Sequence, residues 1–182
     1  TVDPVSGEVY MTLTNNSDRT ESETAPTLSN DGSAIEAAGV GYATAPVNAA
    51  NPRADNSDGQ VIRWKEPSAD ATTFDWDIFV FGALGEDDEP ADYNRSGLTA
   101  PNSFSSCDGL WYDARGDGQG ILWIETDTGG TSVTNDQVLA VVPQGLDKGD
   151  NGSVVNASNQ AQLKRFAIGP NGCEVTGIFA TP

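Results

Sequence analysis

The chain reads as all-β, and more narrowly as part of a β-propeller. Three observations predict this. Short runs rich in Val, Ile, Thr and aromatics recur along 182 residues, and 20 Gly and 10 Pro supply the turns between them. Parts of the chain echo one another at long range. The stretch Cys107–Asp127, CDGLWYDARGDGQGILWIETD, reads as an inner hairpin with an acid at its entry.

The predicted strands follow in order. Glu8–Asn15 carries EVYMTLTN, Gln60–Lys65 carries QVIRWK, and Thr73–Gly82 carries TFDWDIFVFG. Then come Gly109–Asp113, Ile121–Thr126, Gln137–Val142, Gln162–Ile168 and Glu174–Ala180. Ser33–Ala38 is the one patch with helical character, and it is short. Two long loops interrupt the pattern, Asn16–Gly59 and Ala83–Ser106. The first is polar and is expected to run over the surface. Loops of this length are usually functional or disordered. The acidic run Glu86–Glu89 reads as a solvated part of the second.

The echoes group these strands into blades. Asp3–Asn15 parallels Asp113–Asp127: an Asp, a Gly turn, then an aromatic-bearing strand closing on Thr and an amide or acid. Gln60–Pro67 loosely parallels Gln162–Pro170. Cys107-Asp108 leads into Gly-Leu-Trp much as Cys173-Glu174 leads into Gly177-Ile178-Phe179. One blade then spans 1–98 and a second 99–171, and 172–182 begins a third with Glu174–Ala180 as its inner strand. Closed propellers need about 4–8 blades. The chain accounts for about two blades plus the inner strand of a third, and both ends read as cut from something longer. It begins without Met, and no signal peptide is visible.

Charge and composition exclude several functions. With 27 Asp plus Glu against 9 Lys plus Arg, the formal net charge is −18. Such a polyanion repels phosphate backbones, so no nucleic-acid partner is expected. The same charge serves solubility, and it also suits hard cations such as Ca²⁺, which prefer carboxylate and carbonyl oxygens. There is no His, which rules out Ser-His-Asp hydrolysis, zinc–His sites and HExxH helices within these residues. No apolar run approaches the ~18 residues of a membrane span. The two cysteines are too few for a Cys₄ zinc site. They are expected either as buried thiols or, if the blades neighbour each other, as a bridge.

The inner strands of a propeller converge on one mouth of its channel. Asp108 and Glu174, related by the repeat, are expected at equivalent entries there. Converging carboxylates repel, and unpaired burial is costly. A cation resolves the conflict, so both are metal-ligand candidates, against a turn-capping role for Asp108 and an ion pair for Glu174. Asp113–Gly120 lacks the closing Glu of an EF-hand and reads as the hairpin turn. Arg53 and Arg63 are weighed as phosphate grips against ordinary salt bridges.

Four segments resemble the PhoX-type alkaline phosphatases. They are TNNSDR after DPVSGEVY, AANPRADNSDGQVIRW, the CDGLWYDARGDGQGILWIETD hairpin, and GPNGCEVTGIFATP, in that order from end to end. The resemblance implies a six-bladed propeller and a secreted or periplasmic phosphomonoesterase. It also implies calcium and iron held by carboxylates and one cysteine from several blades. It supports Asp108 as a calcium ligand, and Glu174 less directly. It places an Arg-Pro-Glu segment just upstream of Thr1. The iron-binding cysteine falls in an earlier blade, so Cys107 and Cys173 are not given that role. The expected substrate is a phosphate monoester and the expected partner is the remaining portion of the same propeller. Taken alone, the chain is expected to be inactive. The competing reading is a non-catalytic calcium-binding propeller module of a secreted or surface protein.

Overall fold

The computed structural model describes residues 1–16, 19, 47–85, 90–116, 118–128 and 134–181. The helical patch at Ser33–Ala38 and the acidic run Glu86–Glu89 lie outside these. By packing, the chain divides into two compact units, Thr1–Asn15 with Asp58–Pro182, and Asn16–Ser57.

The larger unit is built from two antiparallel sheets. The first is β1 (Val9–Leu13), β2 (Gln60–Lys65) and β3 (Asp75–Phe81), in that order. The second is a meander of β4 (Cys107–Ala114), β5 (Gly120–Thr126), β6 (Gln137–Val141) and β7 (Lys164–Ile168). A single 3₁₀ turn at Gln160–Gln162 is the one helical element among the described residues. The start of the chain adds a fourth strand position to the first sheet. Thr1 and Tyr10 exchange backbone hydrogen bonds of 3.0 and 2.9 Å, and Val2 bridges Val9.

Alternation sets which faces meet. In the second sheet Tyr112, Leu122 and Val141 share a face with Leu110, Ile124 and Leu139, and nearly all of these are buried. In the first sheet Tyr10, Arg63 and Asp77 share one face, and Val9, Trp64 and Trp76 the other. The sheets meet where Tyr10 stacks on Tyr112, with centroids 6.1 Å apart, and meets Phe79 edge-on at 5.4 Å. Such ring pairs add about 0.5–1.5 kcal/mol beyond the area they bury. Tyr112 N–H also donates to Thr1 Oγ1 at 3.0 Å, joining the two sheets again.

The opposite faces stay apolar and open. Met11 and Trp76 are exposed on the first sheet, with Phe74 just before β3, and Phe166 on the second. Trp123 packs edge-on against Phe166 at 4.9 Å. Two sheets stacked face to face, each presenting a further apolar face, are successive blades of a propeller. In that architecture every blade is covered by its neighbours.

The described part of the connection at 83–106 is ordered and contributes to the core. Leu98 and Phe104 are fully buried and belong to the core. Polar side chains satisfy its backbone. Asn94 donates to Leu98 O and accepts from Leu98 N–H, both at 2.8 Å. Arg165 of β7 donates to Ala100 O at 2.9 Å and Ser103 O at 2.8 Å. The stretch Ser153–Val155 covers the free edge of β3: Val154 and Val155 N–H donate to Ile78 O and Phe79 O at 3.0 and 2.7 Å. An edge closed this way offers no template for stray pairing.

Glu174–Ala180 departs from expectation, for it forms no strand pairing. A strand needs a ladder partner, and this segment joins neither sheet. Its Phe179 is 88% exposed. The two cysteines are not bridged. Cys107 is buried against Gly59, whereas Cys173 is half-buried beside Gly169. Without a paired strand at 174–180, nothing brings Cys173 to β4.

In the smaller unit Asn16 and Asn56 form a backbone bridge, and the Asn48 side chain accepts from Ala50 and Asn51 N–H. Arg53 is buried, and its Nη2 donates to Asn56 Oδ1 at 2.8 Å.

Candidate metal site

Asp108 stands second in β4, on a backbone that three features hold in place. Ser106 has a positive φ of 53°, an uncommon conformation for a residue with a Cβ, costing roughly 1–2 kcal/mol. It is fixed from both sides: its N–H donates to Asp58 O at 3.0 Å, and its carbonyl accepts from Asp127 N–H at 2.9 Å. Gly59 (φ +73°) leaves room for the buried Cys107, since a Cβ there would sit 2.8 Å from Leu13 O and 3.1 Å from the thiol. Thr12 Oγ1 of β1 donates to Asp108 O at 2.8 Å. The Asp108 side chain itself is exposed.

The β4–β5 ladder carries a bulge at this point. Cys107 faces Thr126 and Leu110 faces Ile124, with a register shift between. Asp108 and Gly109 therefore both oppose Glu125. A bulge bends the strand and re-aims a side chain. Gly109 makes the arrangement possible, because a Cβ there would overlap Glu125 Oε2 and press on Glu125 Cβ and Cδ at 3.2 Å.

Glu125 is 3% exposed, and its Oε1 has no hydrogen-bond partner. None of the ion pairs among the described residues includes it. Burial pushes its carboxyl up from the ordinary value, and the neighbouring Asp108 charge pushes the same way. Sequence reasoning missed this residue, although a signal was present. In the repeat, Ile121-Leu-Trp-Ile-Glu125 aligns with Val9-Tyr-Met-Thr-Leu13, so an acid stands where the first blade has Leu. A buried charged residue at an apolar position is more informative than any exposed one.

The other candidates separate from this centre. Glu174 is exposed, in a segment without strand pairing. Among the described residues no group of three or more His, Cys, Asp or Glu is assembled to hold a metal. Arg63 is engaged elsewhere, its guanidinium 3.5 Å from both Glu8 and Asp77. The Asp113–Gly120 segment is the β4–β5 turn, closed by Arg115 N–H to Gln119 O at 2.9 Å.

An all-β chain of two stacked antiparallel meanders, one of three strands and one of four, defines a piece of a β-propeller. The family described as "Alkaline phosphatase PhoX" matches residues 1–182, and the chain belongs to that family. Its fold is similar to a solved structure described as "Pseudomonas fluorescens PhoX in complex with vanadate, a transition state analogue". The two are 31% identical with a TM-score of 0.64, covering 97% of this chain and 25% of that one. The chain thus spans a quarter of the solved relative's length. No curated protein matches it.

Proposed function

We propose that this chain supplies part of the active site of a metal-dependent alkaline phosphatase that hydrolyses phosphate monoesters. The match to the alkaline phosphatase family over the whole chain carries the reading. The solved relative's complex with a transition state analogue supports it. The proposed cofactors are calcium and iron, the setting periplasmic or secreted, and the blades 1–98, 99–171 and the start of a third at 172–182. The rest of the propeller is the required partner.

Within that reading Asp108 is a calcium ligand. The Asp108–Glu125 pair fits a cation on physical grounds, since one buried carboxylate oxygen is left without a partner beside a second carboxylate. Metal ions in such a site clamp phosphoryl oxygens and offset the charge that develops on them. The chain's own contribution is to hold its carboxylates still, through the Thr12 contact to the Asp108 carbonyl and the fixed turn at Ser106. Glu174 is proposed as a further metal ligand through its place in the repeat, and reaching the mouth requires 174–180 to pair as an inner strand.

The test is hydrolysis of a chromogenic phosphate monoester by the intact protein, loaded with calcium and iron. Turnover that is lost on chelation and restored by the metals is expected. An intact, metal-loaded protein that binds calcium and hydrolyses no phosphate ester would instead support the non-catalytic module.

A further inference from the structure

We propose that Glu125 is a second carboxylate ligand of the cation held by Asp108. The inference rests on the reading of Asp108 as a metal ligand and extends it to a residue in a different strand.

Three independent observations converge. The first is geometric: the bulge sets two residues of β4 against one of β5, so that Asp108 and Gly109 share Glu125 as their opposite number. The second is steric. The position beside Asp108 is a glycine, and only a glycine leaves space for the Glu125 carboxyl to lie against β4. The third is electrostatic. Glu125 is buried with an oxygen that nothing satisfies, and the nearest charge acting on it is another carboxylate. A structural role for a buried glutamate calls for a Lys, an Arg or a full set of hydrogen bonds. Glu125 has none of these, and the equivalent place in the first blade is held by an uncharged residue, Leu13.

The ligand chemistry is that of a hard divalent cation. Ca²⁺ accepts carboxylates singly or in pairs and takes 6–8 oxygens, so two carboxylates form part of its shell. Mg²⁺ demands a tighter octahedron and keeps its water. The bulge gives one carboxylate from an exposed side and one from a buried side. Calcium is the better match.

The experiment is titration of the chelated intact protein with Ca²⁺, by calorimetry, and with Tb³⁺, by luminescence. Tb³⁺ takes calcium sites and is sensitised by nearby indoles. Trp123 lies two residues from Glu125 on the same face of β5. The variants are Glu125→Gln, Glu125→Leu and Asp108→Asn. Glu125→Leu installs the residue of the equivalent position in the first blade, so it should fold.

One calcium site should weaken at least tenfold in all three variants, with sensitised emission falling in parallel. The double variant Glu125→Gln with Asp108→Asn should be no weaker than Asp108→Asn alone. Without calcium, Glu125→Leu should melt no lower than wild type. Calcium should raise its melting temperature less. If both Glu125 variants keep wild-type affinity and emission while Asp108→Asn loses them, Glu125 is no ligand and the reading of Asp108 stands. Wild-type calcium binding in all three variants would remove both. Loss in the Glu125 variants alone would mean the cation is not shared, which also overturns the proposal.

Discussion

Gly109 is a position where one missing atom decides the geometry. A Cβ there would meet the Glu125 carboxyl and Cβ, and both strands are fixed by their ladder. Gly109→Ala should therefore destabilise the chelated protein by about 1–3 kcal/mol, the usual cost of overpacking. In a Glu125→Ala background the cost should fall by more than half, because the clashing carboxyl is gone. Denaturant midpoints of the four proteins in EDTA measure the coupling. Equal costs in both backgrounds would refute the contact. At this scale the sequence reading was uneven. Asp108 was legible because an exposed acid at the start of a strand breaks no apolar pattern. Glu125 was not, because it sits inside an apolar strand, and only comparison with Leu13 shows that an acid stands where the repeat has an apolar residue. The bulge was also hidden. It depends on a register shift that no local pattern specifies.

Among the elements, seven strands fall within or around the runs that alternation and turn residues mark, because those signals are local. The connections were less legible. The 83–106 segment reads as a long loop, yet its Asn94 and Asn102 side chains satisfy its own backbone, and Leu98 and Phe104 are buried. Glu174–Ala180 has a strand composition without a ladder partner, and strand formation is a property of the pair. The turn before β1 carries a testable electrostatic device. Burial works against the Asp3 charge, but hydrogen bonds from Ser6 Oγ at 2.7 Å and Val5 N–H at 2.8 Å more than offset it, and the carboxyl is held below its ordinary value. A depressed folded value means that Asp3 stabilises the fold fully above the unfolded carboxylate range. That stability is lost as pH falls through the folded value. Wild type should then lose more stability than Asp3→Asn on acidification from about pH 5 to below the ordinary carboxylate range of about 3.9. Parallel acid-unfolding curves for the two would show that the turn makes no such contribution.

For the molecule as a whole, the composition was informative chiefly by exclusion. A net charge of −18 and the absence of His leave carboxylates as the most numerous side chains for metal chemistry, beside two thiols. The outer faces of both sheets, with exposed Trp76 and Phe166, are apolar surface of the kind one propeller blade presents to the next. They fit a chain that spans 25% of its solved relative. Half of the candidate site was readable from the repeat and from family resemblance. The remainder depends on the bulge, and on ligands proposed to lie elsewhere in the propeller. The central claim is that Asp108 holds a calcium ion needed for phosphate-ester hydrolysis. Bound calcium and turnover of a chromogenic phosphate ester, measured on the same preparations of intact wild-type and Asp108→Ala protein, test it most directly. The account predicts that the variant stays folded and loses one calcium equivalent together with at least a hundredfold of its activity. A folded variant with full calcium and full activity would contradict it.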